Sequence, residues 1–391
     1  MYVLDYYILC NLDFFGFVLL VLWFRLLFSS LPTDTNIRRK VNTMASTEIP
    51  ATQKQIVVKK LGVNFRDVTR IEEGPVPSPE KEQILVKNKY VGINASDINF
   101  TNGRYFDLQL PCAAGMEALG EVVRVGENSK FKVGQYVAYM NPGAFAEYTV
   151  AADAVSAHVP SLEAEQLAMF ASGLAAAVAL DKEADLKAGK TVLVTAAAGG
   201  AGQFAVQIAK LAGCHVIGTC STERKVAFLS QLGCDRVVNY TKENLNLVLS
   251  SEYPQGIDVV FECVGKELFD AALKNLARLG RIVVIGQISC YPENEDKNTF
   301  EELKFESEVS IPLTLLVKSA SLRGMILTDY FGEIQRYVDT LVGLREQGMI
   351  KAFADRGEDA PSGPFVGLEK IVDAVEYLYS RKSVGKVMVE L

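Results

Sequence analysis

Residues 191–210, TVLVTAAAGGAGQFAVQIAK, constrain this chain most, because an apolar β-branched run passes through a glycine-rich turn into an amphipathic helical pattern. Residues 192–194 read as a buried parallel strand. Gly199, Gly200 and Gly202, with Ala201 between them, let the backbone bend tightly and approach a pyrophosphate within contact distance. A helix starting near Gly202 then aims its unpaired N–H groups and positive dipole end at that anion. A glycine turn alone would suit any strand-to-helix loop. Here the strand before it, the helix after it and a second apolar strand at residues 215–219 make a dinucleotide site the expected use.

The end of that second strand bears on which dinucleotide. NAD sites carry an Asp or Glu roughly 20 residues beyond the first glycine, where it bonds the ribose hydroxyls. This chain has Cys220 and Ser221 there, followed by Thr222, Glu223, Arg224 and Lys225. An uncharged strand end with two cations beyond it suits a 2′-phosphate, so NADPH is the expected cofactor. The alternative is that Arg224 and Lys225 only solvate an exposed first helical turn.

A chain of 391 residues, 49% of them hydrophobic, can bury two cores. Its formal charge of −7 argues against a nucleic-acid partner, which would call for a basic face. The seven cysteines form no CxxC pair and no dense disulfide pattern, which fits a reducing compartment such as the cytoplasm. Two histidines, His158 and His215, and no cysteine cluster leave no metal site to expect.

Residues 1–43 stand apart. The apolar stretch 8–28, broken by Asn11, Asp13 and Arg25, is marginally long enough to span a bilayer. Arg25 lies near its end and Arg38, Arg39 and Lys40 follow it, so an anchor here would leave the main domain in the cytosol. The alternative is an upstream extension outside the working protein, which could begin at Met44. The ending Val389, Glu390, Leu391 is not of the SKL type, which counts against the peroxisome without excluding it or the mitochondrion.

Short β-rich runs at 55–59, 83–91, 119–125, 136–140 and 146–150 predict a compact barrel-like β domain. A helix is expected over 161–180, with Ser161 as its cap. Strands at 191–195, 215–219, 236–238, 258–261 and 281–285 then alternate with helices at 202–211, 223–232 and 268–279, the pattern of a doubly wound parallel sheet. Polar residues 292–308 read as an exposed loop, and 384–391 as a strand returning to the first domain.

With these motifs in view, VGINASDIN from Val91, GEVVRVGENSKFKVGQYVAY from Gly120 and GRIVVIGQIS from Gly280, together with the glycine turn, resemble the quinone-oxidoreductase-like branch of the medium-chain dehydrogenase/reductases. The resemblance implies an α/β chain with a GroES-like catalytic domain at 44–170 and 319–391 around a Rossmann NADP-binding domain at 171–318, assembled as a homodimer through the nucleotide sheet edge. Zinc-dependent members place a Cys where this chain has Ala95 or Ser96 and a His where it has Met116, so no metal is expected to ionise an alcohol. The implied reaction is hydride transfer from NADPH to the double bond of a lipid-derived α,β-unsaturated ketone, such as a 15-oxo-prostaglandin. A quinone acceptor, or an NADPH-binding protein with little turnover, are the alternatives.

By the same resemblance Gly199, Gly200, Ala201 and Gly202 hold the pyrophosphate, and Ser221, Lys225 and Tyr240 the 2′-phosphate. Val264 and Gly265 form the adenine-ribose turn, Gly286 and Ser289 bound the nicotinamide edge, and Asn94 and Asp97 stand near the nicotinamide. Tyr105 is the phenol best suited to donate to a substrate carbonyl. Packing would explain Tyr105 and Tyr240 equally, and a turn cap Asn94. Two segments depart from the family pattern: Ser172 to Ala177 read SGLAAA where SGTTAY is usual, and Thr328 and Asp329 replace an Asn-His pair. An Asp329 facing the pocket would repel an acidic substrate.

Overall fold

The structure, a computed structural model, describes residues 49–105, 107–292 and 307–391. The apolar stretch 8–28 and most of the loop 292–308 lie outside the described residues. Among the described residues no helix is long and apolar enough to cross a membrane.

The first part of the chain is a β domain. Strands β1 (Thr52–Val58), β2 (Thr69–Pro75), β3 (Gln83–Gly92), β4 (Cys112–Ala113), β5 (Glu117–Val125), β6 (Tyr136–Met140), β7 (Tyr148–Ala152) and β8 (Ser156–His158) follow one another with short connections. The five runs expected from the sequence are all strands, shifted by up to three residues at their ends. The connection to the next domain is a helical stretch from Ala164 to Glu183, and Glu163 rather than Ser161 precedes its first turn. It widens at Met169–Gly173, where Phe170 leaves helical geometry.

The nucleotide domain contains β9 (Thr191–Val194), α1 (Gly200–Leu211), β10 (His215–Cys220), α2 (Glu223–Gln231), β11 (Arg236–Asn239), α3 (Leu245–Glu252), β12 (Ile257–Glu262), α4 (Lys266–Lys274), β13 (Leu276–Val284), α5 (Ile311–Lys318) and β14 (Ser321–Gly324). Its strand order is β11-β10-β9-β12-β13-β14 with every pair parallel, so the expected doubly wound sheet forms. Helix α4 ends at Lys274, not near Leu279, because β13 begins at Leu276. β14 carries the sheet beyond residue 318.

The chain then forms α6 (Ile334–Glu346), β15 (Ala354–Asp355), α7 (Ile371–Tyr379) and β16 (Lys386–Glu390). β16 pairs antiparallel with β3, so the C-terminal segment does return to the β domain. Just before that pairing, Gly385 bridges to Gly199 and its N–H donates to the Ala198 carbonyl at 2.8 Å. One chain segment therefore touches the glycine turn and the β-domain sheet within a few residues.

Candidate active site

The glycine turn forms because β9 is buried along Val192–Val194 and must leave the sheet abruptly. Ala196 takes a positive φ of 47° and its carbonyl accepts the Gly199 N–H at 2.9 Å. Gly199 caps α1, which starts at Gly200, two residues earlier than the sequence suggests. A Cβ on Gly202 would stand 2.4 Å from the Ala196 carbonyl oxygen, and one on Gly200 2.6 Å from the Ser172 hydroxyl. The turn is thus closed to side chains, while the first-turn N–H groups of Gly200, Ala201 and Gly202 lack intrahelical acceptors and suit a phosphate. A pyrophosphate fits this donor set.

At the adjoining strand end, Thr222 caps α2 by accepting the Lys225 N–H, and the Lys225 ammonium donates to the Arg381 carbonyl at 2.8 Å. The Ser221 hydroxyl donates to the same carbonyl at 3.3 Å. Lys225 is only 9% exposed, and burial lowers its pKa, so an anion would be welcome beside it. The Tyr240 N–H donates to the Cys220 carbonyl at 3.0 Å, which holds Tyr240 next to Ser221. Arg224 does not join this group: it pairs with Asp359 at 2.6 Å. Arg381, brought in by the C-terminal segment, does join it, and only its place after a helix end, within a basic pair, hinted at this.

Beyond β12, the Val264 and Gly265 N–H groups both donate to the Glu262 carboxylate, at 2.8 and 2.9 Å. Glu262 is fully buried, and burial pushes its pKa up to about 7. The Ser289 N–H donates to the Val264 carbonyl at 3.1 Å, tying the loop after β13 to this turn. Gly286 follows β13 and faces a cavity of about 420 Å³ with Gln287, Tyr291, Met325, Asp329 and Tyr330 on its walls. It opens at the carboxyl ends of β13 and β14, where ligands of such sheets bind.

Tyr291 was not singled out in the sequence, yet with Tyr330 it is one of two phenols on this wall. Its oxygen accepts the Gln287 N–H at 3.0 Å, which leaves its own proton to donate, and burial raises its pKa, keeping that proton in place. Tyr330 instead donates to Glu183 at 2.9 Å. Tyr105 is not among the wall residues of the cavity. It hydrogen-bonds Asn99 and Ser96 within the β-domain core, close enough to Tyr291 for the two phenols to influence each other electrostatically.

Asn94 and Asp97 sit together at the end of β3. The Asn94 N–H donates to Asp97 Oδ2 at 2.8 Å, and the Asn94 side-chain amide donates to Glu117 Oε2 at 2.9 Å. Asp97 is 1% exposed, and burial pushes its pKa up to about 7. Among the described residues no three His, Cys, Asp or Glu side chains gather in a way that could hold a metal ion.

Comparison with known proteins agrees with this fold. The alcohol dehydrogenase GroES-like domain matches residues 80–161, and the zinc-binding dehydrogenase domain matches residues 200–343. Prostaglandin reductase-3 of Mus musculus is 46% identical over 362 residues, 92% of this chain and 94% of that protein. The chain belongs to the medium-chain dehydrogenase/reductase family. As a member of that family it is an oxidoreductase. A probable quinone oxidoreductase of Leishmania amazonensis is 42% identical over 88% of this chain and 99% of its own. The solved structure of Escherichia coli quinone oxidoreductase complexed with NADPH superposes with a TM-score of 0.73 at 26% identity, covering 86% of this chain and all of that one. Ala95, Ser96 and Met116, the residues at which a zinc ligand would be sought, offer neither a thiolate nor an imidazole.

Proposed function

We propose that this chain reduces the carbon–carbon double bond of α,β-unsaturated ketones with NADPH, acting on 15-oxo-prostaglandin-like lipids. The observation that carries the reading is that the glycine turn, the Ser221 and Lys225 side chains and a phenol-bearing cavity all lie at the carboxyl ends of one sheet. NADPH, when bound, supplies a hydride for the β-carbon of the enone. The Tyr291 hydroxyl, with Tyr105 behind it, is placed to hydrogen-bond the carbonyl oxygen on which negative charge would develop, and a proton from solvent at the α-carbon would complete the saturated ketone. Gly286 and Ser289 bound the nicotinamide end, and Asn94 and Asp97 close the site from the β domain. With Ala95, Ser96 and Met116 offering no thiolate or imidazole to a metal that would ionise an alcohol, an acceptor whose double bond is already electron-poor suits this site. The quinone oxidoreductases among the relatives favour a second reading, in which the same cleft reduces a quinone.

The cavity wall carries Asp329 and neither Lys nor Arg. A substrate carboxylate is therefore disfavoured there, although Asp329 is exposed enough for solvent to weaken the repulsion. The test is NADPH oxidation with 15-oxo-prostaglandin E2 and its methyl ester, with NADH in parallel. A product saturated at the 13,14 bond is expected with NADPH, the ester reacting several-fold faster than the acid. Turnover of quinones alone would replace this reading with the second one.

The homodimer is proposed through β14, which lies at the edge of the sheet. Beside it α5 has no buried residue, and Leu313, Leu316 and Val317 are 61 to 73% exposed. An exposed sheet edge flanked by apolar side chains is a pairing surface. Light scattering should give twice the chain mass, and Leu316→Asp should halve it; a monomeric wild type would refute the assignment.

A further inference from the structure

The described ion pairs lie on or near the surface with one exception: Lys386 and Glu117, 2.7 Å apart, have side chains only 2% and 0% exposed. Such a pair costs much desolvation, and well-packed apolar residues of similar size are often as stable. The surroundings of this pair point to another use. The Lys386 ammonium also donates to Asn94 Oδ1 at 2.6 Å, while the Asn94 amide donates to the same Glu117 oxygen that Lys386 meets. A cation can bind only the oxygen end of an amide, and a carboxylate only its nitrogen end. The triangle therefore permits one orientation of the Asn94 amide. The second Glu117 oxygen accepts the Ala171 N–H at 2.9 Å, which fixes the carboxylate against the widened helical turn.

The same lysine adjoins the cofactor cradle. Its Cδ lies 3.4 Å from where a Cβ on Gly200 would stand, and its chain neighbour Gly385 is bonded to Ala198 and bridged to Gly199. Gly385 has a φ of 85°, and a Cβ there would meet the Phe353 carbonyl oxygen at 2.4 Å, so the segment reaches this position by only one close path. Backbone that touches the pyrophosphate turn thus leads, one residue later, into the side chain that orients Asn94.

We propose that Lys386 is a positioning residue: held by Glu117, it sets the Asn94 amide at the nicotinamide end of the cleft and couples that setting to the phosphate cradle. The proposal rests on the NADPH-dependent reductase reading but not on which acceptor is physiological. Rates are taken with whichever acceptor the wild type turns over, an enone ester or a quinone, and the fluorescence of bound NADPH is recorded independently of turnover. In Lys386→Met, kcat should fall about 30-fold, while KM for the acceptor and Kd for NADPH stay within about threefold. The emission of bound NADPH should change, since it reports the nicotinamide surroundings. Lys386→Arg, which keeps a cation able to bind the amide oxygen, should recover most of kcat.

A merely structural pair behaves otherwise. Lys386→Met combined with Glu117→Gln removes both charges, which should restore any lost thermal stability without restoring kcat. Wild-type kcat and wild-type NADPH emission in that double variant would overturn the proposal. So would failure of both the single and the double variant to fold, because the pair would then be a requirement of the fold. If no acceptor is reduced by the wild type, the reductase reading fails, and unchanged NADPH emission in the variants separately refutes the role of Lys386.

Discussion

Lys225→Ala should lower kcat/KM for NADPH by about 10- to 100-fold and leave kcat/KM for NADH nearly unchanged. The estimate follows from the worth of one charge-assisted hydrogen bond to a phosphate, about 1.5–3 kcal/mol. The side chain is almost wholly buried and at present donates to a neutral carbonyl, that of Arg381. Burial lowers its pKa more than the nearby Asp355 raises it, so a phosphate dianion would improve its surroundings as well as gain a partner. NADH offers a ribose hydroxyl there and gains far less from the charge. Arg224→Ala provides the contrast: its guanidinium is committed to Asp359, so the same kinetics should move by less than about threefold. Parallel kinetics with the two cofactors decide the matter. An equal loss with both would mean that Lys225 supports the loop rather than the 2′-phosphate.

The surroundings of these two side chains show where sequence reading stops. Lys225 and Arg224 are adjacent and chemically alike, and nothing local tells which one turns inward. The difference comes from Arg381, 156 residues away, whose carbonyl draws Lys225 inward, and from Asp359, which draws Arg224 outward. Lys386 was missed for the same reason, since its partner Asn94 lies 292 residues earlier. Tyr291 sits in a loop with no periodicity, and only its packing over Gln287 places it on the cavity wall.

The parallel sheet was legible because its central strands are short apolar runs bounded by turns, a pattern buried strands require. Two details escaped. Residues 276–279, Leu-Ala-Arg-Leu, fit a helical period as well as a strand, and the structure resolves the ambiguity by an irregular register between β12 and β13, with Leu279 at a φ of 61°. β14 has four residues, three of them exposed, so no apolar run announced it. The glycine cradle needed no such distant information. Its requirement is imposed by backbone atoms within a few residues, which is why it can be read from the chain directly.

The same locality makes Gly202→Ala the most damaging single change expected in the cradle. The added Cβ would lie 2.4 Å from the Ala196 carbonyl oxygen and 2.7 Å from both Cα and the carbonyl oxygen of Ala197, all backbone atoms of the turn. A flexible side chain could rotate away, but here the turn itself must move. Overpacking of this kind costs about 1–3 kcal/mol. The displaced turn also carries the N–H groups meant for the pyrophosphate, whose bonding depends on shifts of a few tenths of an ångström. NADPH affinity should therefore fall by more than about 100-fold, with a lowered melting temperature and no recovery at high enone concentration. Gly200→Ala meets the Ser172 hydroxyl at 2.6 Å, a side-chain atom that can turn aside, and should cost no more than about tenfold in affinity. Fluorescence titration with NADPH and a thermal melt of both variants measure this. Equal and small losses in the two would mean that the turn is loose enough to absorb a methyl group and that close backbone approach is not what binds the cofactor.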